Sequence, residues 1–172
     1  MIRHCIAENA PLTAPIADAI QLRAKGLPAL ELLHRAKQIR ANFKGLLLVN
    51  DRIDVCLASN ADGIHLPSHR IAPQRIKQRF GEKLIIGVSC HDLDEVRRAE
   101  QEGADYVYLS PIFLSPSKPG YGPPLGLAVL ATAVLSVRIP VLALGGITLA
   151  NEAQCMAVGA AGFAGISYFG YS

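Results

Sequence analysis

Along almost its whole length this chain repeats one alternation: a short apolar run rich in β-formers, then a segment with helical period. The strand candidates are 3–7, 19–23, 45–50, 63–66, 83–89, 106–109, 141–144 and 162–167. Several carry apolar residues at successive positions, as LLLV at 46–49 and VLAL at 141–144 do. That is the signature of parallel strands covered on both faces. Helix candidates fall between them at 28–42, 51–59, 72–80, 92–103, 125–137 and 148–159. The segment from Asp92 to Gly103 starts with acidic residues and ends in glycine, a well-formed helical start and stop. Eight strands in βα alternation predict a closed α/β architecture, a (β/α)8 TIM barrel, rather than an open doubly wound sheet.

Such barrels typically use about 200 residues or more, and this chain has 172. The alternation locates the shortage. Between the first two strands lie only residues 8–18, with Pro11 and Pro15, so the first helix is expected to be shortened. After Ser167 the sequence runs only to Ser172, so the eighth helix is expected to be missing. The expected architecture is a compact single barrel over residues 1–172, with a gap in its outer ring beside the chain ends. Apolar surface uncovered there would suit a homo-oligomer contact.

Composition narrows the functional classes. Half of the residues are hydrophobic (51%) and 18% are charged, far from the disordered range. No apolar run reaches the roughly 18–20 residues of a membrane span, and MIRHCIAENAP lacks the apolar core of a secretory signal. A net charge of +3 is too small and dispersed to indicate nucleic acid. Cys5, Cys56, Cys90 and Cys155 show no CxxC spacing and read as reduced core thiols. The expectation is a cytoplasmic protein acting on small molecules, with no membrane or nucleic-acid partner.

A barrel of this kind carries its active site at the C-terminal ends of the strands. The polar residues there are Gln21, Arg23 and Lys25 after the second strand, Asn50 and Asp51 after the third, and His65 to Arg70 after the fourth. Ser89 and His91 follow the fifth, and a long proline-rich loop, SPIFLSPSKPGYGPPLG from Ser110, follows the sixth. Gly145-Gly146 follows the seventh, and Gly165-Ile166-Ser167 ends the eighth. The two glycines would bring backbone N–H groups to an anion at a helix N-terminus, beside the eighth strand where such barrels hold phosphate. Arg23, Lys25 and Lys118 form a cationic group suited to a diphosphate. Asn50-Asp51 is an oxygen pair able to serve as a Mg²⁺ ligand or as a helix N-cap. Ser89 with His91 resembles part of a nucleophilic triad, but lacks an evident carboxylate to orient the histidine.

Together these motifs resemble the thiamine phosphate synthase / TenI family. The resemblance rests on QLRAK at 21–25, LLLVNDRIDVCLASNADGIHL at 46–66, and GVSCHDLDEVRRAEQEGADYVYLSPIFLSPSK at 87–118. It continues through IPVLALGGIT at 139–148 and GAAGFAGIS at 159–167, covering most of the chain in the family's order. It implies a transferase that condenses hydroxymethylpyrimidine diphosphate with thiazole phosphate, giving thiamine phosphate and diphosphate with the help of Mg²⁺. Carried over residue by residue, Gln21, Arg23, Lys25, Asn50 and Lys118 match the diphosphate and pyrimidine positions, Asp51 a Mg²⁺ ligand, and Ser89 the serine near the reacting centre. Ser115 and Ser117 stand where the family has threonines on the thiazole side. Gly146, Ile166 and Ser167 match the thiazole-phosphate grip, with Gly145 beside them.

One departure falls in HLPSHRIA at 65–72. There Arg70 stands where the synthases carry an acidic second Mg²⁺ ligand, and a cation repels a metal ion. Arg70 is expected instead as a substrate-binding residue that pairs with phosphate directly, making diphosphate binding less dependent on metal. The family's thiazole tautomerases carry a histidine at the end of strand six, where this chain has Pro111. Synthase is thus the first expectation. A TenI-like tautomerase, or a barrel that only binds a phosphorylated ligand, are the alternatives.

Overall fold

The computed structural model describes residues 1–8, 16–114 and 123–169. Its core is eight parallel strands closed into a barrel in chain order. They are β1 (Ile2–Ala7), β2 (Ala19–Leu22), β3 (Leu46–Asn50), β4 (Gly63–Leu66), β5 (Ile85–Cys90), β6 (Tyr106–Leu109), β7 (Val141–Leu144) and β8 (Gly162–Gly165). Around them lie α1 (Ala29–Asn42), α2 (Ile53–Ala58), α3 (Pro73–Phe80), α4 (Leu93–Gln101), α5 (Gly126–Ser136) and α6 (Glu152–Ala157). The described residues place no helix between β1 and β2. After β8 they form a 3₁₀ turn, Ser167–Phe169.

The runs of successive apolar residues are explained by this arrangement, because each strand has helices outside and barrel filling inside. Leu47 and Val49 of β3 pack outward with α1 and α2 residues such as Ile39 and Val55, while Leu48 packs inward with Ile6, Tyr106, Tyr108 and Leu142. Helix α4 begins as its sequence predicts. The Asp92 side chain accepts a hydrogen bond from the Glu95 N–H at 2.7 Å, and Glu95 in turn accepts one from His91 N–H. This reciprocal cap fixes the β5–α4 turn at the barrel mouth.

Beside the expected gap in the outer ring, an aromatic group covers part of the apolar surface. Phe163 of β8 is fully buried, with Tyr168 and Phe169 of the 3₁₀ turn packed around it at centroid distances of 4.6 and 6.4 Å.

The barrel closes where β8 meets β1, and Gly162 lies opposite Ile2 in that register. A β-carbon on Gly162 would lie 1.9 Å from the Ile2 carbonyl oxygen. That neighbour is backbone and cannot turn aside. Gly162→Ala should therefore destabilise the fold by about 1–3 kcal/mol, read as a lower midpoint in urea unfolding. A midpoint equal to that of the unchanged chain would refute this account of the seam.

Candidate functional site

The C-terminal ends of the strands surround a cavity of about 690 Å³. Among the residues singled out from the sequence that line it are nine of the candidate site residues: Gln21, Arg23, Lys25, Asn50, Ser89, Gly145, Gly146, Ile166 and Ser167. One wall carries the polar and cationic groups of β2, β3 and β5. The opposite wall is the small-residue edge of β7 and β8, and the volume suits small-molecule ligands. Ser115, Ser117 and Lys118 lie outside the described residues. Asp51 and Arg70 do not line this cavity: Asp51 follows its wall residue Asn50, and Arg70 lines a smaller neighbouring hollow of about 200 Å³ that shares Pro67, Ser68 and Ser89 with it.

On the cationic wall the Gln21 side-chain amide donates to Asn50 Oδ1 at 2.9 Å. Gln21 is buried, and its Oε1 has no partner among the described residues. A buried acceptor left open at a cavity wall is costly unless a ligand donor meets it. Arg23 is ion-paired with Glu8 from the end of β1. Lys25 has no ion pair among the described residues.

The glycine wall differs from the sequence expectation in one respect. Helix α6 begins at Glu152, not at residue 148. The Asn151 side chain folds back, accepting from Thr148 N–H at 2.8 Å and donating to the Gly146 carbonyl at 2.9 Å. The glycines therefore line the cavity from a loop, not from a helix terminus. Both have positive φ (93° and 65°), and a β-carbon on Gly146 would lie 2.3 Å from the Leu114 carbonyl oxygen. Close packing against the loop after β6 is reason enough for glycine here.

The Ser89–His91 pairing does not form. Ser89 Oγ lies 2.9 Å from His65 Nε2, whereas His91 Nδ1 turns to the Ser110 carbonyl oxygen at 3.0 Å. His65, 1% exposed, also meets the Tyr106 hydroxyl through Nδ1 at 2.9 Å. The Tyr108 hydroxyl meets His4 Nδ1 at 2.8 Å, and the Tyr106 and Tyr108 rings lie beside each other with centroids 5.4 Å apart. Ser89 thus stands at the top of a hydrogen-bonded file that runs through His65 to Tyr106, with Tyr108 and His4 paired beside it. Each hydroxyl has one proton to give, so the file runs in one of two senses. Either Ser89 donates to His65 and its oxygen is free to accept in the cavity, or His65 donates to Ser89 and its proton faces the cavity. His4 and the two tyrosines carry no functional expectation from sequence. The signal available is their spacing, since 106 and 108 both point inward on a two-residue period.

At the rim, Asp51 does not cap α2, whose N-cap is Arg52 without a side-chain cap bond. Its carboxylate instead pairs with Arg70 at 3.2 Å. His69 pairs with Glu95 at 2.8 Å, so the His65, His69 and Asp51 side chains do not converge on a metal. Among the described residues no three His, Cys, Asp or Glu side chains are grouped to hold one. Mg²⁺ is bound through one or two carboxylates plus substrate phosphates. Here the candidate carboxylate is already neutralised by a guanidinium, and the set around Asp51 does not fit the ion.

The sequence profile of the thiamine monophosphate synthase family matches residues 6–169. The chain belongs to this family. The thiamine-phosphate synthase of Methanoculleus marisnigri is 43% identical over 154 residues, covering 88% of this chain and 73% of that protein. That of Methanocella arvoryzae is 43% identical over 155 residues, with the same coverage. Among solved structures, thiamine phosphate pyrophosphorylase from Pyrococcus furiosus superposes with a TM-score of 0.84 at 32% identity, covering 96% of this chain and 85% of that one. The barrel of this family member, and the cavity at its C-terminal face, are thus set in a synthase lineage.

The buried histidines make the fold acid-sensitive. Burial pulls the His65 imidazole down to about 3, helped by His4 and Arg23, and pulls His4 down to about 4 against the raising effect of Asp18. The unfolded chain protonates both as pH falls through about 6.5, while the folded chain keeps them neutral. Stability contributed by these neutral histidines is present above that value and is lost as pH falls toward 4. Unfolding at pH 5.5 should therefore take up nearly two protons from this pair, measured from the pH dependence of urea-unfolding free energy between pH 7 and 5. A flat profile across that window would be inconsistent with neutral buried histidines.

Proposed function

We propose that this thiamine monophosphate synthase family member is a transferase joining hydroxymethylpyrimidine diphosphate to thiazole phosphate, releasing diphosphate and forming thiamine phosphate. The observation that carries the reading is the convergence in one cavity of an amide-and-cation wall with a small-residue edge on the other side. Membership in the family and the 43% identical synthases support the same reaction.

In this reading the bond between the pyrimidine methylene carbon and the diphosphate oxygen breaks, and its electron pair leaves with diphosphate. The thiazole nitrogen then donates its lone pair to that carbon, forming the C–N bond of the thiazolium product. Arg23 and Lys25 supply positive charge where the leaving group gathers negative charge, the largest kind of contribution a preorganised site makes. Arg23 is held for this by Glu8. Gln21 and Asn50 form the polar contact surface for the pyrimidine. The open Gln21 Oε1 is an acceptor suited to a ring amino group. Ser89 hydrogen-bonds beside the reacting carbon, its orientation set by His65. Gly145, Gly146, Ile166 and Ser167 hold the thiazole phosphate. Lys118, Ser115 and Ser117 are assigned to the same assembly by motif alone.

The four buried free thiols support a reducing compartment, and we place the reaction in the cytoplasm. No helix among the described residues is long and apolar enough to cross a membrane.

Purified chain given both substrates should release diphosphate and form thiamine phosphate, followed by coupled phosphate detection and chromatography. Lys25→Ala and Arg23→Gln should each lower kcat/KM by about 10²–10³. Binding of the phosphorylated substrates without any product, under conditions where a synthase of this family turns over, would instead establish a ligand-holding barrel.

A further inference from the structure

The rim between β3 and β4 carries one carboxylate and one guanidinium, Asp51 and Arg70, 3.2 Å apart. Two loops are locked to bring them together. Asp51 has φ of 55°, and its N–H donates to the His65 carbonyl at 3.0 Å, which turns its side chain toward the β4 loop. On that loop His69 has φ of 62° and is tied to the capped Glu95 of α4 at 2.8 Å, which sets the direction of the next residue, Arg70. Asn50, next to Asp51, and Ser68, two residues before Arg70, both line the main cavity. The ion pair therefore stands at the edge of the cationic wall. Arg70 is 61% exposed, against 32% for Asp51, so the guanidinium keeps N–H donors available at the mouth.

Charge arithmetic gives this pair a role. A divalent ion held by two carboxylates sums to zero, and a guanidinium beside one carboxylate also sums to zero. Both arrangements offer an incoming diphosphate a cation whose position is fixed by an acid. Arginine does so with planar donors that match phosphate oxygens in pairs.

We propose that Arg70, oriented by Asp51, takes the place of a divalent ion at this rim, so that the chain binds a diphosphate group without metal. The inference rests on the reading that the cavity receives a diphosphate. It assigns Arg70 as a binding residue and Asp51 as the residue that positions it.

Calorimetry with inorganic diphosphate, on the full chain in EDTA and again in millimolar Mg²⁺, tests it. The unchanged protein should bind in EDTA, with an affinity that added Mg²⁺ improves less than threefold, roughly within the scatter of a surface effect. Arg70→Gln should weaken binding in EDTA by about tenfold to a hundredfold, the loss of a charged hydrogen bond. Arg70→Asp should abolish binding in EDTA and regain it with Mg²⁺. Arg70 is exposed, so neither change threatens folding. Tenfold or tighter binding with Mg²⁺ in the unchanged chain, or an Arg70→Gln variant that binds normally in EDTA, overturns the inference and leaves the synthase reading standing. Absence of diphosphate binding under both conditions overturns the two together.

Discussion

Tyr106 and Tyr108 stand inside the barrel on one strand, and the site above them takes its positions from how they are accommodated. Two phenol rings on neighbouring inward positions need room, and β5 provides it at Gly87. A β-carbon there would lie 2.0 Å from the Tyr106 ring. With the space granted, burial removes both hydroxyls from water, so each must find a partner inside. Tyr106 finds His65 and Tyr108 finds His4, and His65 carries the first of these contacts on to Ser89. His65 also stacks on Tyr108 at 4.1 Å between centroids, which fixes the plane of its ring. Buried polar groups paired in this way rigidify the barrel interior. The floor of the cavity is thus held by the same contacts that fill the core.

Above that floor the site divides by chemistry. The β2, β3 and β5 ends contribute amides, cations and a hydroxyl, and the β7 and β8 ends contribute backbone and small side chains. A parallel barrel produces this division without further devices, because every strand delivers its C-terminal residue to the same face. Residues far apart in sequence, such as Gln21 and Ser167, then line one cavity.

Most of the barrel is legible in the order of residues alone. The βα alternation locates every strand, and β4, β6 and β7 begin and end where their apolar runs do. Departures have local causes. The eighth strand stops at Gly165 because Ser167 enters a 3₁₀ turn, and α6 starts late because Asn151 holds the preceding loop. The nine cavity residues are legible because strand ends mark the active face. The Ser89 partner is not, since His65 reaches it across neighbouring strands while His91 is only nearer in sequence. Nor is the Asp51–Arg70 pair, which depends on two residues in left-handed conformations that no periodicity announces.

Gly87 and Tyr106 also constrain what relatives of this chain can become. Either position can change only into a state the other already permits. A larger residue at 87 requires the phenol ring to leave first. Losing the ring in turn strands one nitrogen of His65. The two sites are therefore bound in descent as well as in space. Lineages should either keep both residues or replace the whole polar file with an apolar filling, with few viable sequences in between.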